Sequence, residues 1–240
     1  MLISQFVRFA MVKAAISSIE RLLTFKSLSR VQTERMRSEL RQAQPDRAIH
    51  LAIHLAMQGE RCRGLDAMLF RPQPSVVFGI QAGPDVEIGL GLRVAMQLYR
   101  MSGFADRDVK FYLGPMNAAV AAGTNSVRNR VAFATDGNTF PPRSQSQFYI
   151  FSSMLLPALE RAFVKEADCL TALAAADAAL AVEAFRADNS GRLPGSLREL
   201  VPAYFAEIPI DPATERPLAL VPGAVGYAIH ANGPVFSVRR

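Results

Sequence analysis

The sequence of 240 residues contains no tryptophan, only two cysteines and only three histidines. Two cysteines allow one disulfide at most, which excludes a fold built on a disulfide framework. Cys62 and Cys169 each lie among apolar neighbours, as a small buried hydrophobic residue does. A disulfide between them would require an oxidising compartment and two helices, far apart in sequence, within bridging distance.

The chain also lacks a long uninterrupted apolar run. No segment reaches the roughly 18 consecutive apolar residues that are typical of a membrane span. The first predicted helix comes nearest, but Arg8 and Lys13 interrupt it and Glu20 closes it. A signal peptide would need a longer uncharged core and a small-residue cleavage site. We therefore expect no transmembrane segment or export signal, and an amphipathic core helix here, with a membrane-surface helix as the alternative.

Two histidines one helical turn apart form the nearest approach to a metal motif. His50 and His54 have the separation at which two imidazoles can share a metal, and Glu60 and Cys62 follow. The zinc-protease pattern requires a glutamate directly after the first histidine, where this chain has Leu51. The apolar surroundings favour packing, and we predict no metal site. His230, in the last predicted hairpin, has no acidic or serine partner in a recognisable arrangement and is expected to be structural.

Motifs for nucleotide binding and nucleophilic catalysis are missing as well. The chain has no Gly-x-Ser-x-Gly elbow, and Gly89-Leu90-Gly91 lacks both the third glycine and the preceding strand of a dinucleotide fingerprint. We therefore expect no catalytic residue, no cofactor and no small-molecule substrate.

Paired carboxylates occur without partners that would make them catalytic. The candidates are Asp66, Asp85 with Glu87, Asp106 with Asp108, and Asp211. The pair at 106 and 108 opens a predicted helix, where the helix dipole favours negative charge, so helix capping is expected. The acid at 211 lies between Ile-Pro and Pro and is expected to accept backbone hydrogen bonds in an Asx turn.

The net charge is +6, with 50% hydrophobic and 20% charged residues. This composition predicts a folded chain with a large core rather than a disordered one. The arginines are scattered on predicted helices, at 35, 37 and 41, at 61 and 63, and at 128 and 130. No aromatic platform or recognition-helix pattern accompanies them, so we expect no nucleic-acid partner. A solvated basic face is the first interpretation and an anionic membrane surface the second.

The periodicity predicts a mainly α-helical fold with a small C-terminal α+β cap. Predicted helices span 2–25, 30–43, 46–57, 60–70, 91–101, 106–121, 125–134 and 146–188, the last kinked near Pro157. Ser29 and Gln32 have the spacing of a capping box. Loops are predicted at 71–90 and 137–144. The chain is thereby divided into a helical region, 1–145, and a long helix with a C-terminal module, 146–240.

The C-terminal module contains turn residues with definite mechanical roles. Gly191 can close the long helix in the left-handed conformation, and Pro194 prevents its continuation. Ser196 and Glu199 have capping-box spacing and predict one short helical turn. Two apolar runs, 218–221 and 226–231, flank Pro222-Gly223 as strands flank a turn. Leu197, Leu200, Tyr204, Ile208 and Tyr227 are expected to pack against the long helix.

The order of these sequence segments resembles the C-terminal half of the major pseudopilins of type II secretion and of type IV pilin-like proteins. The matching segments are Asn-Ser-Gly-Arg-Leu-Pro from 189, Ser-Leu-Arg-Glu-Leu-Val-Pro-Ala-Tyr from 196, Ile-Pro-Ile-Asp-Pro from 208 and Gly-Tyr-Ala-Ile-His-Ala-Asn-Gly-Pro from 226. The resemblance covers about the last quarter of the chain. It does not extend to the family's calcium-binding acids, because Val-Phe-Ser-Val-Arg-Arg follows the last glycine turn. It also does not extend to the filament-forming N-terminal helix.

The whole chain is similar to a group of uncharacterised bacterial envelope proteins that join a helical region to such a tail. The segments that support this similarity are Ile19 to Leu23, Gly59 to Cys62 with Gly64 to Asp66, and Met154 to Leu159 with Phe163 to Ala167. Members typically start with a membrane-spanning helix, so a truncated member is expected. The resemblance implies a non-enzymatic structural or docking protein of the cell envelope, with a protein partner or self-association. A hydrolase or other enzyme with a site in the loops 71–90 and 135–145 is the alternative.

Overall fold

The computed structural model describes residues 2–42, 48–69, 90–137 and 149–239. Within these ranges the fold is mainly helical, with a three-stranded antiparallel sheet near the C-terminus. The predicted fold class is confirmed at this level.

The helices of the described ranges follow the predicted order closely. They are α1 (Leu2–Phe25), α2 (Arg30–Gln42), α3 (Ala48–Leu69), α4 (Leu90–Met101), α5 (Phe104–Ala122), α6 (Val127–Thr135) and α7 (Ile150–Asp188). The predicted capping box of α2 is present, because Ser29 N–H donates to Gln32 Oε1 at 3.0 Å and Gln32 N–H donates to Ser29 Oγ at 3.4 Å.

One prediction for this part of the chain is wrong, since the helices predicted at 46–57 and 60–70 are a single helix, α3. Gly59 lies inside it without ending it. A helical glycine costs only about 1 kcal/mol relative to alanine. Burial of Ile53 and Met57 before Gly59, and of Met68 after it, favours the continuous helix more strongly.

Backbone contacts divide the chain into two compact units that do not follow the chain in order. Unit 1 comprises Met1–Gln5 and His50–Val164, and unit 2 comprises Phe6–Ile49 and Lys165–Arg240. Each unit therefore takes one part of α1 and one part of α7. This division differs from the predicted boundary between residues 145 and 146.

The core of unit 1 lies between α3, α5 and the first part of α7. Met57, Met116 and Phe163 are fully buried in it. Tyr112 packs against Gly64, whose missing Cβ leaves room for the phenol ring, and its hydroxyl donates to the Glu60 carbonyl at 3.0 Å. A small residue thus lets α3 and α5 approach closely.

The core of unit 2 is built around the alanine-rich second part of α7. Small side chains there let α1, α2 and the C-terminal residues pack close to its backbone. α1 contributes Phe9, Ile16 and Leu23, spaced seven residues apart and all buried. The C-terminal residues add further buried apolar side chains, namely Leu197, Leu200, Phe205, Leu218, Tyr227, Ile229, Phe236 and Val238.

The sheet contains β1 (Ala219–Gly223), β2 (Gly226–His230) and β3 (Pro234–Arg239), in the order β1-β2-β3. The predicted hairpin is confirmed, but its turn is shifted: Gly223 pairs with Gly226, so the turn residues are Ala224 and Val225. The third strand was not predicted. Its alternation, with Phe236 and Val238 buried and Ser237 between them, is the signal that could have revealed it.

Candidate functional site

The C-terminal module, residues 189–239, begins where α7 ends. Ser190 and Gly191 both have positive φ, of 52° and 86°, and Gly191 N–H donates to the Arg186 carbonyl at 2.8 Å. This is the left-handed closure that the glycine predicted.

The next predicted feature is only partly present. A short 3₁₀ helix, Leu197–Leu200, follows as expected, but Ser196 makes no side-chain capping hydrogen bond. The Glu199 carboxylate instead accepts a hydrogen bond from Arg192 at 3.3 Å. The predicted capping box is therefore wrong, since its glutamate bonds to an arginine side chain instead of the backbone of the turn.

Asp211 anchors the proline-rich loop to α7. Its Oδ1 accepts hydrogen bonds from the Thr171 hydroxyl at 2.5 Å and from Ala213 N–H at 3.1 Å, and its Oδ2 accepts one from the Thr214 hydroxyl at 2.6 Å. Burial acts to raise the pKa of Asp211, but these hydrogen bonds together outweigh it and hold the pKa below its usual value. The predicted Asx turn is confirmed, and the contact with Thr171 adds a link between loop and helix that the sequence did not reveal.

Two tyrosines connect other parts of the module to α7. The Tyr227 hydroxyl, on β2, has one proton, which is shared between Glu183 Oε1 at 3.0 Å and the Ala179 carbonyl at 3.2 Å. The Tyr204 hydroxyl donates to Asp188 Oδ2 at 2.7 Å. The predicted packing of this part of the chain on the long helix is confirmed.

A buried ion pair connects α2 to α7 and to the module. Arg37 Nε donates to Asp177 Oδ1 at 2.8 Å, and its Nη2 donates to the Tyr204 carbonyl at 3.0 Å. The guanidinium also lies 4.8 Å from the ring centroid of Phe205. The prediction that Arg37 lies on a solvated basic face is wrong, because this residue is buried. Asp177 is the residue that could have revealed this ion pair from the sequence. It lies in an alanine-rich helix that is expected to be buried, and a buried carboxylate needs a cationic or hydrogen-bonding partner.

In unit 1, Asp108 caps a helix to which it does not belong. Its carboxylate accepts hydrogen bonds from Phe151 N–H at 2.8 Å, from Ser152 N–H at 3.1 Å and from the Tyr99 hydroxyl at 2.8 Å. The prediction that Asp108 serves the start of its own helix is wrong, because this residue is fully buried and points to the N-terminus of α7. Asp106 does lie in the first turn of α5.

The histidine and acid candidates that lie in the described ranges do not converge on a site. His54 bonds through Nδ1 to the Val120 carbonyl at 3.0 Å and through Nε2 to Gln58 at 2.9 Å, while the His50 side chain lies outside the described part. Glu60 Oε1 accepts a hydrogen bond from Leu2 N–H at 2.8 Å. His230 lies on β2. Among the residues described, no three His, Cys, Asp or Glu side chains are grouped to hold a metal.

The two cysteines are free thiols in different units. Cys169 is buried as expected, and burial raises the pKa of its thiol. Cys62 is exposed, so the prediction that it is a buried hydrophobic residue is wrong.

The remaining candidates lie mostly where the structure gives no description. Asp85, Glu87, Gly89 and almost all of the loops at 71–90 and 135–145 fall outside the described residues. Asp66, by contrast, lines a cavity of about 320 Å³ in unit 1, together with Glu60, Arg63 and Tyr112.

A larger cavity, of about 500 Å³, lies in unit 2 beside α1. Polar side chains on its wall include Lys13, Glu20, Asp168, Thr171, Asp211 and Asn232. Lys13 and Asp168 form a half-exposed ion pair of 3.7 Å. The Asp211 carboxylate, as described, is already hydrogen-bonded within the fold.

The solvent-facing side of α1 carries large apolar side chains beside polar and basic ones such as Lys13 and Arg21. Val7, Met11 and Phe25 are 56%, 67% and 88% exposed, whereas the opposite side lies in the core. The prediction of an amphipathic helix is therefore wrong. By length and composition alone, α1 is apolar enough to cross a membrane, a measure that core helices and signal sequences also meet.

No protein-family model, curated protein or solved structure matches this chain. The resemblance of the C-terminal module to pseudopilins therefore depends on the four sequence segments given above. In the fold, these segments close α7 at Gly191, anchor the loop at Asp211 and form part of the sheet.

Proposed function

We propose that this protein is a structural or docking component of the bacterial cell envelope that works by association and has no catalytic centre. The observation that carries the proposal is the attachment of the C-terminal module to α7 at three separate places, Asp211, Tyr227 and Tyr204. A module held in this way presents a fixed surface to a partner at little ordering cost. The envelope location and the link to secretion are taken from the pseudopilin resemblance of the C-terminal module.

Buried polar groups support the same proposal, because they join segments of the chain and so have a structural role. Arg37 with Asp177, Asp108 with the first turn of α7, and Asp211 with Thr171 each join separate segments of the chain. Such groups stabilise a specific arrangement, since a buried charge that loses its partner is strongly destabilising. Their hydrogen bonds are made to the protein itself.

The tip of the β1–β2 hairpin is the part of the module best placed to meet a partner. Val221 and Val225 are both exposed there. In the part of the chain that the structure describes, β1 is an edge strand that pairs with β2 on one side only. Exposed apolar side chains beside an open strand edge are typical of protein contact sites.

Site-specific photocrosslinking in bacterial cells tests the proposal. A photoreactive residue at position 225 is expected to give a discrete crosslinked species in the envelope fraction. The matched control is position 207, an exposed glutamate of the same module, which is expected to give none. A chain that stays uncrosslinked at both positions, remains outside the envelope fraction and hydrolyses one of a panel of ester, peptide and phosphate substrates would favour the enzyme instead.

A further inference from the structure

The outer face of α1, defined as its exposed residues from Val7 to Phe25, combines apolar and basic side chains without an acid. Its members are Val7, Ala10, Met11, Lys13, Ala14, Ala15, Ser17, Ser18, Arg21, Leu22 and Phe25. Glu20 is the acidic residue of α1, and it is turned away. Its Oε1 accepts hydrogen bonds from Ser237 N–H at 2.7 Å and from the Ser237 hydroxyl at 2.9 Å.

The basic character continues past the end of the helix. Lys26 and Arg30 are both exposed just beyond Phe25. Arg30 is paired with Glu34 at 3.0 Å and with Asp188 at 2.9 Å, and Lys13 with Asp168 at 3.7 Å, so Arg21 and Lys26 are the cations on which the basic character beside Phe25 depends. The most exposed aromatic ring on this face is therefore flanked by cations, which is the composition that favours an anionic lipid surface.

The inner side of α1 decides how the helix can meet a bilayer. Phe9, Ile16 and Leu23 are buried in the core of unit 2. A helix that crosses a bilayer alone is surrounded by lipid, so crossing would remove these three side chains from the core. A folded unit 2 is compatible with a helix lying in the interface, with its outer face towards the lipid.

We infer that the outer face of α1 binds the surface of an anionic bilayer. Met11, Leu22 and Phe25 enter the region between the headgroups, while Arg21 and Lys26 contact lipid phosphates. This inference rests on the proposed envelope function and names the partner of one surface. Each basic residue near an anionic surface is expected to change binding about fivefold, so two together give about 25-fold.

Flotation of the full-length protein with vesicles tests the inference. Vesicles of phosphatidylcholine and phosphatidylglycerol at a 3:1 ratio are expected to bind at least tenfold more protein than vesicles of phosphatidylcholine alone, and added salt should reduce the difference. The double variant Met11→Glu with Phe25→Glu is expected to lose this binding. Val94→Glu with Leu98→Glu, which changes two exposed apolar residues of α4 in unit 1, is the matched control and should bind like wild type.

A second variant separates charge from insertion and from misfolding. Arg21→Gln with Lys26→Gln should bind anionic vesicles about 25-fold more weakly and leave the circular dichroism spectrum unchanged. Phe25→Ser, at a position 88% exposed, replaces the glutamate double variant if that chain fails to fold.

Four results would overturn the inference. The first is equal binding of the wild type to both kinds of vesicle, and the second is full binding by the α1 variants. The third is a loss of binding in the α4 control as large as that in the α1 variants. The fourth is bound protein that alkaline carbonate does not extract, which would show a helix that crosses the bilayer. A dimer in lipid-free solution that Phe25→Ser dissociates would assign the face to a second copy of the chain. Photocrosslinking at position 225 is scored separately, so its persistence alongside a negative vesicle result would leave the docking proposal standing.

Discussion

Asp108 caps the helix that begins at Ile150 by accepting the backbone N–H of Ser152 at 3.1 Å, together with the Ser152 hydroxyl. The two residues are 44 positions apart in the chain. The orphan donors of a helix N-terminus are thus satisfied by a residue of α5 instead of a local cap. The contact fixes where α7 starts relative to α5 in unit 1.

Asp108→Ala is expected to lower the free energy of unfolding by about 2 to 3 kcal/mol, because buried donors lose a charged acceptor. The control Asp106→Ala removes an exposed acid from the same helix and should cost less than about 1 kcal/mol. Urea unfolding followed by circular dichroism measures both. Equal effects of the two variants would contradict the capping role.

Tyr227→Phe removes one hydroxyl and leaves the ring in the core of unit 2. We expect a loss of about 1 to 2 kcal/mol, since Glu183 and the Ala179 carbonyl lose the hydroxyl donor that they share in a buried setting. Tyr204→Phe, whose hydroxyl bonds to Asp188 near the surface, should cost less than about 1 kcal/mol. A reversed order in urea unfolding would show that the sheet is not held through Tyr227.

Thr171→Val is expected to destabilise the protein by about 2 kcal/mol at neutral pH, because Asp211 loses its bond to α7. The pKa of Asp211 is lowered in the folded state. A lowered pKa contributes stability that is complete above the unfolded value, about 3.9, and disappears as the pH falls through the folded value.

The stability difference between wild type and Thr171→Val should therefore shrink as the pH is lowered from about 5 towards 2, in unfolding curves measured across that range. Carbon-detected NMR of the Asp211 carboxyl group should show a higher pKa in the variant. Thr124→Val, which removes a hydroxyl bonded to the Ala121 carbonyl, is the control and should show no such pH dependence. A difference that stays constant with pH would refute the linkage.

Gly226→Ala should destabilise the sheet by about 2 kcal/mol or more. Gly226 has a φ of 144°, and an added Cβ would collide with the Val238 carbonyl oxygen on β3. Gly223→Ala meets only ordinary contacts across the same turn and is expected to change stability by less than about 1 kcal/mol. Thermal unfolding distinguishes the two. A harmless Gly226→Ala would show that the strands can separate at this point.

Thiol labelling under native conditions should show one fast and one slow cysteine. Cys62 is exposed, whereas burial of Cys169 raises its pKa and blocks access. Cys62→Ser should abolish the fast phase of reaction with a disulfide reagent. Two fast phases, or none in the wild type, would contradict the positions assigned to these residues.

The sequence by itself determined the elements whose causes are local. The Ser29–Gln32 capping box, the helix closure at Gly191 and the Asx turn at Asp211 each depend on residues within a few positions of one another. Steric preference and short-range hydrogen bonding fix such features wherever they occur. Most helix bounds followed for the same reason.

Only the tertiary structure decided the features that join distant residues. The Asp108 carboxylate accepts the backbone N–H of Phe151, 43 residues away, and Arg37 pairs with Asp177, 140 residues away. The assembly of each compact unit from two stretches that are far apart in the sequence is of the same kind. A local pattern shows that a group can bond or be buried, but packing selects the partner, because the free energy of burial depends on what surrounds the group in the folded chain.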